Sequence, residues 1–363
     1  MTDALGDATA GEPYVFPKGC TRLAFVSKQV VEDNLRALRR EAFGAGVLID
    51  LSSEAWGHGL VDAARAVTSV EPSTIAVSNV ADGIALRGEG IDGEIVVWNL
   101  PATAARYQLS ASGLSAAASS PHAVGVAVQS GAAHVWLDLG IKGVAGATAR
   151  PELEAFARAL SAAAQGSVTL CASDARLLHD AAGFFTAKGI EVRGLVSPAG
   201  RDGAPIEGSA GLVRIGAEAF GLSETLAPAP VSVRPALSLR APIIALKDVD
   251  RDVGVSYGYT YRTSQPTTLA LVPVGYGDGV DRSLGNRAQV LLRGQRLTIA
   301  GRVAMDATVL DVGARGADIG DVVEFFGDPA GGAPSAQDYA ELLGVSSAAV
   351  VAGLTARVMR RWT

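Results

Sequence analysis

The sequence predicts an α/β protein in which a (β/α)8 barrel of the TIM type is followed by an antiparallel β domain. Two textures carry that expectation. Over residues 22–232, short apolar runs without strict alternation are separated by helical stretches, the pattern of a parallel sheet covered on both faces. About eight such units over roughly two hundred residues suit a closed barrel. Beyond about residue 230 the chain turns Pro-rich and then alternates apolar and polar residues between Gly-containing turns, as antiparallel strands do. A length of 363 residues accommodates both parts.

Residues 1–21 read as a flexible N-terminal leader running into the first strand, small and acidic with no apolar core. LAFV is that strand. Ser27 is placed to cap a helix over Lys28 to Phe43, whose C-terminal arginines suit the helix dipole. GVLIDL follows as a buried strand and VDAARAV as a helix. TIAV, EIVVW, AVGVAVQ and HVWLDLG read as strands. PELEAFARALSAAAQ and ARLLHDAAGFFTAKG read as helices, separated by the strand VTLCAS and followed by IEVRGLVS and LVRIG. The second domain, 233–363, offers the strands SLRAPIIAL, TLALVPV, AQVLLRG, QRLTIAG, ATVLDVG and DVVEFFG. One helix, SAQDYAELLG, carries a Ser cap and a Gly stop.

Composition excludes several functions. A net charge of −6, with no basic run, offers nothing for a nucleic-acid backbone. Cys20 and Cys171 are too few and too far apart for a disulfide framework, which points to a reducing, cytoplasmic setting. No basic n-region precedes an apolar segment, and no apolar run reaches a membrane span. The four histidines lack metal-ligand spacing, so no metal site is expected. DVDRDVG at 248–254 begins like a calcium loop but has Val253 and Tyr259 where glycine and glutamate are needed.

Three segments carry a family resemblance: SYGYTY at 256–261, GYGDG at 275–279 and GRVAMD at 301–306. With WGHG at 56–59, they make the chain resemble alanine racemase, a fold-type III pyridoxal-phosphate enzyme. The resemblance places Tyr257 at the catalytic acid/base. It puts Tyr276, Met305 and Asp306 at the substrate entrance, completed across a homodimer. It assigns Arg214 to the pyridine nitrogen of the cofactor, and Ser197 with the amides of Gly216 and Ala217 to its phosphate. Trp56 stands where the family has a phosphate-contacting tyrosine.

The same resemblance marks losses. The family reads V-K-A-(N/D)-A-Y-G-H-G, so WGHG aligned on YGHG puts Ser52 at the catalytic lysine, and no lysine lies between Lys28 and Lys142. Where the family has K-V-D-T-G-M-G-R, this chain has WLDLGIKG, which installs Trp136, Leu139 and Gly143 in place of polar groups. The implied protein is a degenerate racemase homologue: a homodimer that lacks lysine-dependent activity and takes a small anionic or phosphorylated ligand. Pyridoxal phosphate stays a candidate, but not as a Schiff base at position 52. The alternative is an active pyridoxal-phosphate racemase using another amine, with Lys142 the candidate. A third reading is a purely structural partner.

Overall fold

The computed structural model describes residues 16–17, 19–42, 45–70, 74–103, 109–140, 150–198, 211–230, 232–313 and 316–363. Most of the 1–21 leader, together with Lys142 and Gly143, lies outside them. Contacts divide the chain into two units. One holds Glu32–Ala55 and Gly59–Ala219, the other the residues up to Val31, Trp56–His58 and Phe220–Thr363.

The first elements among the described residues are β1 (Leu23–Val26) and α1 (Lys28–Glu41). Ser27 caps α1 as expected, its Oγ accepting the Val30 amide at 3.3 Å. The first unit is then a closed barrel of eight strands in sequence order. They are β2 (Gly46–Asp50), β3 (Thr74–Val77), β4 (Ile95–Val97), β5 (Ser115–Ala118), β6 (Val135–Asp138), β7 (Ser167–Cys171), β8 (Glu191–Pro198) and β9 (Gly211–Ile215). Every pair around the ring is parallel, and β2 closes it on β9 with Leu48 opposite Arg214. Between strands run α2 (Ser52–Gly57), α3 (Leu60–Val70), α4 (Val80–Gly88), α5 (Pro121–Gln129), α6 (Arg150–Ala162) and α7 (Ala175–Ala187). Leu48, Ala76, Val96, Ala117, Trp136, Cys171 and Val196, one from each of the strands β2 to β8, belong to one buried cluster with Trp98.

Two expectations fail here. AVGVAVQ is the helix α5, not a strand. Ser120 caps it by accepting the Ala123 amide, Pro121 opens it, and its buried positions Val124 and Ala127 have helical spacing. The valines at 124, 126 and 128 imitate strand alternation, but the cap decides. The real fifth strand is SAAA, whose small residues gave no β-branched signal while all four are buried. The barrel also does not begin at residue 22. β1 belongs to the other unit, so the expected 22–232 boundary takes in a strand that pairs elsewhere.

The second unit is antiparallel with one exception. Its strands are β10 (Leu237–Pro242), β11 (Ala245–Val249), β12 (Gly254–Val255), β13 (Tyr261–Arg262), β14 (Thr267–Val272), β15 (Gln289–Leu292), β16 (Gln295–Thr298), β17 (Thr308–Asp311), β18 (Val322–Phe326) and β19 (Met359–Trp362). A six-stranded sheet has the order β16-β15-β18-β10-β1-β19, and β1–β19 is its parallel pair. β11, β14 and β17 form a three-stranded sheet, and β12 pairs with β13. SLRAPIIAL, read as one strand, breaks at Ile243–Ile244 so that β10 and β11 enter different sheets. Leu237, Leu239 and Ala241 of β10 face inward in strict alternation. The helix α8 (Ala336–Leu343) has its predicted Ser335 cap and Gly344 stop and is followed by α9 (Ser347–Ala352).

Candidate functional site

Three buried charged side chains of the first unit, Asp50, Asp138 and Arg214, lie at or next to the C-terminal ends of β2, β6 and β9. Asp50, the last residue of β2, is fully buried, and Arg214 of β9 is 7 % exposed. Arg214 donates from Nε at 2.9 Å and from a terminal nitrogen at 2.8 Å, both to Asp50 Oδ2. The other oxygen, Oδ1, accepts from the Ser52 amide at 3.0 Å and the Ser52 hydroxyl at 2.5 Å. A buried charge is tolerated only when paired and hydrogen-bonded, and each of these two is both.

Asp138, ending β6, is buried too, with Oδ1 accepting the Gly140 amide at 3.0 Å. Burial, and secondarily Asp138, push the Cys171 thiol well above its usual range, so it stays protonated and is a poor nucleophile. Ser197 lies on β8 opposite Val213. The Gly216 amide donates to Glu218 Oε2 at 3.1 Å, and Ala217 is fully buried. Trp136 is 1 % exposed and its indole N–H donates to Glu94 Oε1 at 3.0 Å, so it fills the barrel interior and is anchored next to β4.

After Ser52 the backbone does something the sequence did not announce. Ser53, Glu54, Ala55 and Trp56 have φ of 54°, 56°, 52° and 56°, so α2 is a left-handed turn. Each such residue costs roughly 1–2 kcal/mol, and the surroundings hold the turn in place. The Ser53 amide donates to Ser78 Oγ at 3.0 Å, and Glu54 Oε2 accepts the Leu60 amide at 3.3 Å.

In the second unit the WGH segment is equally fixed. Trp56 is partly buried, and its carbonyl lies 3.1 Å from His58 Nδ1. The buried His58 ring stacks on Phe220 at 4.3 Å, and the Gly57 and His58 carbonyls accept from Arg360 and Trp362, each at 2.9 Å. Gly57 has φ 85°, and a Cβ there would sit 2.4 Å from the Val351 carbonyl oxygen. His58 is thus a packing residue.

The three motif segments of this unit meet. Backbone amides of Tyr276 and Gly277 donate to the Ala304 and Met305 carbonyls, each at 2.9 Å. Gly275 permits that approach, since a Cβ would lie 2.3 Å from the Ala304 oxygen. Ser256, just before Tyr257, donates its hydroxyl to the Arg302 carbonyl at 2.6 Å. Asp306 pairs with Arg357, which also reaches the fully buried Asp278 at 3.1 Å. Tyr257, Met305 and Tyr276 are 65 %, 52 % and 40 % exposed.

Sequence reading found these residues but missed Asp50 and Asp138. The available signal was an acid closing each of two otherwise apolar strands, GVLID and VWLD. Among the described residues, no group of three or more His, Cys, Asp or Glu side chains could hold a metal, and no helix is long and apolar enough to cross a membrane.

A closed parallel barrel followed by an antiparallel β domain is the architecture of the fold-type III pyridoxal-phosphate proteins. The family model "Alanine racemase, N-terminal domain" matches residues 26–173, and "Alanine racemase, C-terminal domain" matches residues 236–362. A protein named alanine racemase from Thermobifida fusca is 32 % identical, across 94 % of this chain and 97 % of that one. One from Frankia casuarinae is 33 % identical, over the full length of both. The crystal structure of alanine racemase from Streptomyces lavendulae superposes with a TM-score of 0.85 at 28 % identity, covering 95 % of this chain and 97 % of that chain. The chain belongs to the alanine racemase family.

That family uses pyridoxal phosphate. Position 52 has no amine, and Arg214, the residue the family resemblance assigns to the ring nitrogen, donates to Asp50.

Proposed function

We propose that this chain is a family member that has left lysine-dependent racemisation and works as a binding protein. Ser52 carries the reading. A Schiff base requires a primary amine, and Ser52 offers a hydroxyl that already donates to Asp50 at 2.5 Å. The ligand class we favour is a small anionic or phosphorylated molecule, drawn by Arg214 and the backbone around Gly216. Because these groups donate to Asp50 and Glu218, such a ligand would compete with the chain's own carboxylates. We place the protein in the cytoplasm as a homodimer whose contact face includes Tyr257, Tyr276 and Met305, and their exposure supports that face.

The end-to-end likeness to proteins named alanine racemase supports a second reading, an active racemase drawing its amine from elsewhere in the chain. D-alanine formation decides between them. Purified chain supplied with L-alanine and pyridoxal phosphate is expected to form no D-alanine above a trace. Turnover near the ordinary enzyme rate of about 10 s⁻¹ would overturn the binding-protein reading.

A further inference from the structure

Arg214 is the buried cation that the proposed ligand would use, and it is already engaged within the chain. Its Nε and one terminal nitrogen donate to Asp50 Oδ2 at 2.9 and 2.8 Å, across the seam where β2 meets β9. Asp50 is completely buried, and its other oxygen, Oδ1, accepts from the Ser52 amide and hydroxyl. Its charge is tolerated because the guanidinium stands beside it. On the other side β3 is TIAV, which sets Ala76 opposite Asp50 and brings no ionisable group. The acids of the neighbouring segments are held by amides: Glu54 by Leu60, Glu218 by Gly216, and Asp138 of β6 by Gly140.

We infer that anion binding at this barrel end is coupled to proton uptake, and that Asp50 is the group that takes the proton. The inference rests on the binding-protein reading above and adds how that site is regulated. An anion that draws the guanidinium to itself leaves a completely buried carboxylate without its cation. Burial disfavours the ionised form of a carboxyl, and the nearby opposite charge was what offset that cost. A proton from solvent then bonds to Oδ2, the oxygen that the guanidinium has vacated. Oδ1 keeps the Ser52 amide and hydroxyl as donors, since a protonated carboxyl still accepts. Glu218 behaves differently. It is only partly buried, so water can meet its carboxylate once the Gly216 amide turns to the ligand.

This narrows the ligand class. To displace a carboxylate from two N–H donors, the anion needs at least two acceptor oxygens in the fork geometry that phosphate or sulfate groups offer. Because the bound state carries the extra proton, binding strengthens as pH falls and weakens as pH rises.

The test is calorimetry of the full chain with sodium sulfate, which stays doubly ionised near neutral pH and so contributes no proton of its own. Heats in two buffers of different ionisation enthalpy count the protons taken up. About one per sulfate is expected, with Kd rising about tenfold between about pH 6 and pH 7. Sulfate binding with no uptake and a flat Kd would overturn the inference and leave the binding-protein reading standing. No binding of sulfate or inorganic phosphate at millimolar concentration would sink that reading, and the inference with it. Asp50→Asn is expected to bind sulfate without proton uptake, and uptake that persists there would overturn the role of Asp50. That variant leaves Arg214 without its counter-charge and can fail to fold, so Glu218→Gln supplies a second measurement. Uptake is expected to persist in Glu218→Gln, and its loss would move the proton to Glu218 and overturn the assignment.

Discussion

Asp50 and Arg214 are 164 residues apart in sequence. That separation is why one was legible and the other was not. Arg214 could be placed by a short motif, and Ser52 by counting back from WGHG, since both are local readings. The pairing that gives Asp50 its meaning exists only once β2 closes on β9. Breaking a buried pair from one side leaves an uncompensated charge, so Asp50→Ala should destabilise the fold by about 3–5 kcal/mol. Asp50→Ala/Arg214→Met should recover most of that loss in denaturant unfolding.

A milder expectation attaches to His134, whose ring lies 3.0 Å from Thr169 Oγ1. Burial holds its folded-state value below the usual 6.5, outweighing the opposing pull of Glu94. The folded chain thus disfavours the charged ring. The stability it contributes is fully present above pH 6.5 and is lost as pH falls through the lowered folded value. Thermal midpoints measured downward from pH 7 should show that loss, and His134→Gln should flatten it.

At the scale of elements, the second unit was the more legible. Its glycines and acids mark turns, and each of its longer strands alternates or ends at a turn residue. The barrel was harder because its strands are buried on both faces, which erases alternation and leaves short apolar runs that a helix can imitate. For that reason AVGVAVQ, a helix, reads as a strand, and the strand SAAA is passed over. The left-handed turn after Ser52 was invisible, since Ser, Glu, Ala and Trp have no preference for positive φ.

That turn makes a test. Ser53→Gly removes a strain of roughly 1–2 kcal/mol at an exposed position and costs about 0.5–1 kcal/mol in unfolded-state entropy. A net gain of about 0.5–1 kcal/mol is expected in denaturant unfolding. Gly275→Ala should act the other way, losing about 1–3 kcal/mol or more, because its Cβ meets backbone rather than a flexible side chain.

For the whole molecule, the exposure of Tyr257, Tyr276 and Met305 is what supports the dimer face proposed above. Sedimentation at micromolar concentration should find a symmetric dimer. Tyr257→Asp/Met305→Asp should shift it toward monomer without unfolding either unit, because both side chains are more than half exposed.

The pairing of β1 between β10 and β19 sets a schedule for the chain's synthesis. Leu23–Val26 emerges early, yet its partners are residues 237–240 and 359–362. An elongating chain must therefore carry four apolar residues, three of them fully buried in the finished sheet, unpaired while the entire barrel is made. Contacts this distant slow folding, and an unpaired strand edge invites association with other chains. A fragment cut at the apparent barrel boundary, residues 22–232, would keep that orphan strand permanently and should aggregate, whereas one starting after Val26 should be better behaved.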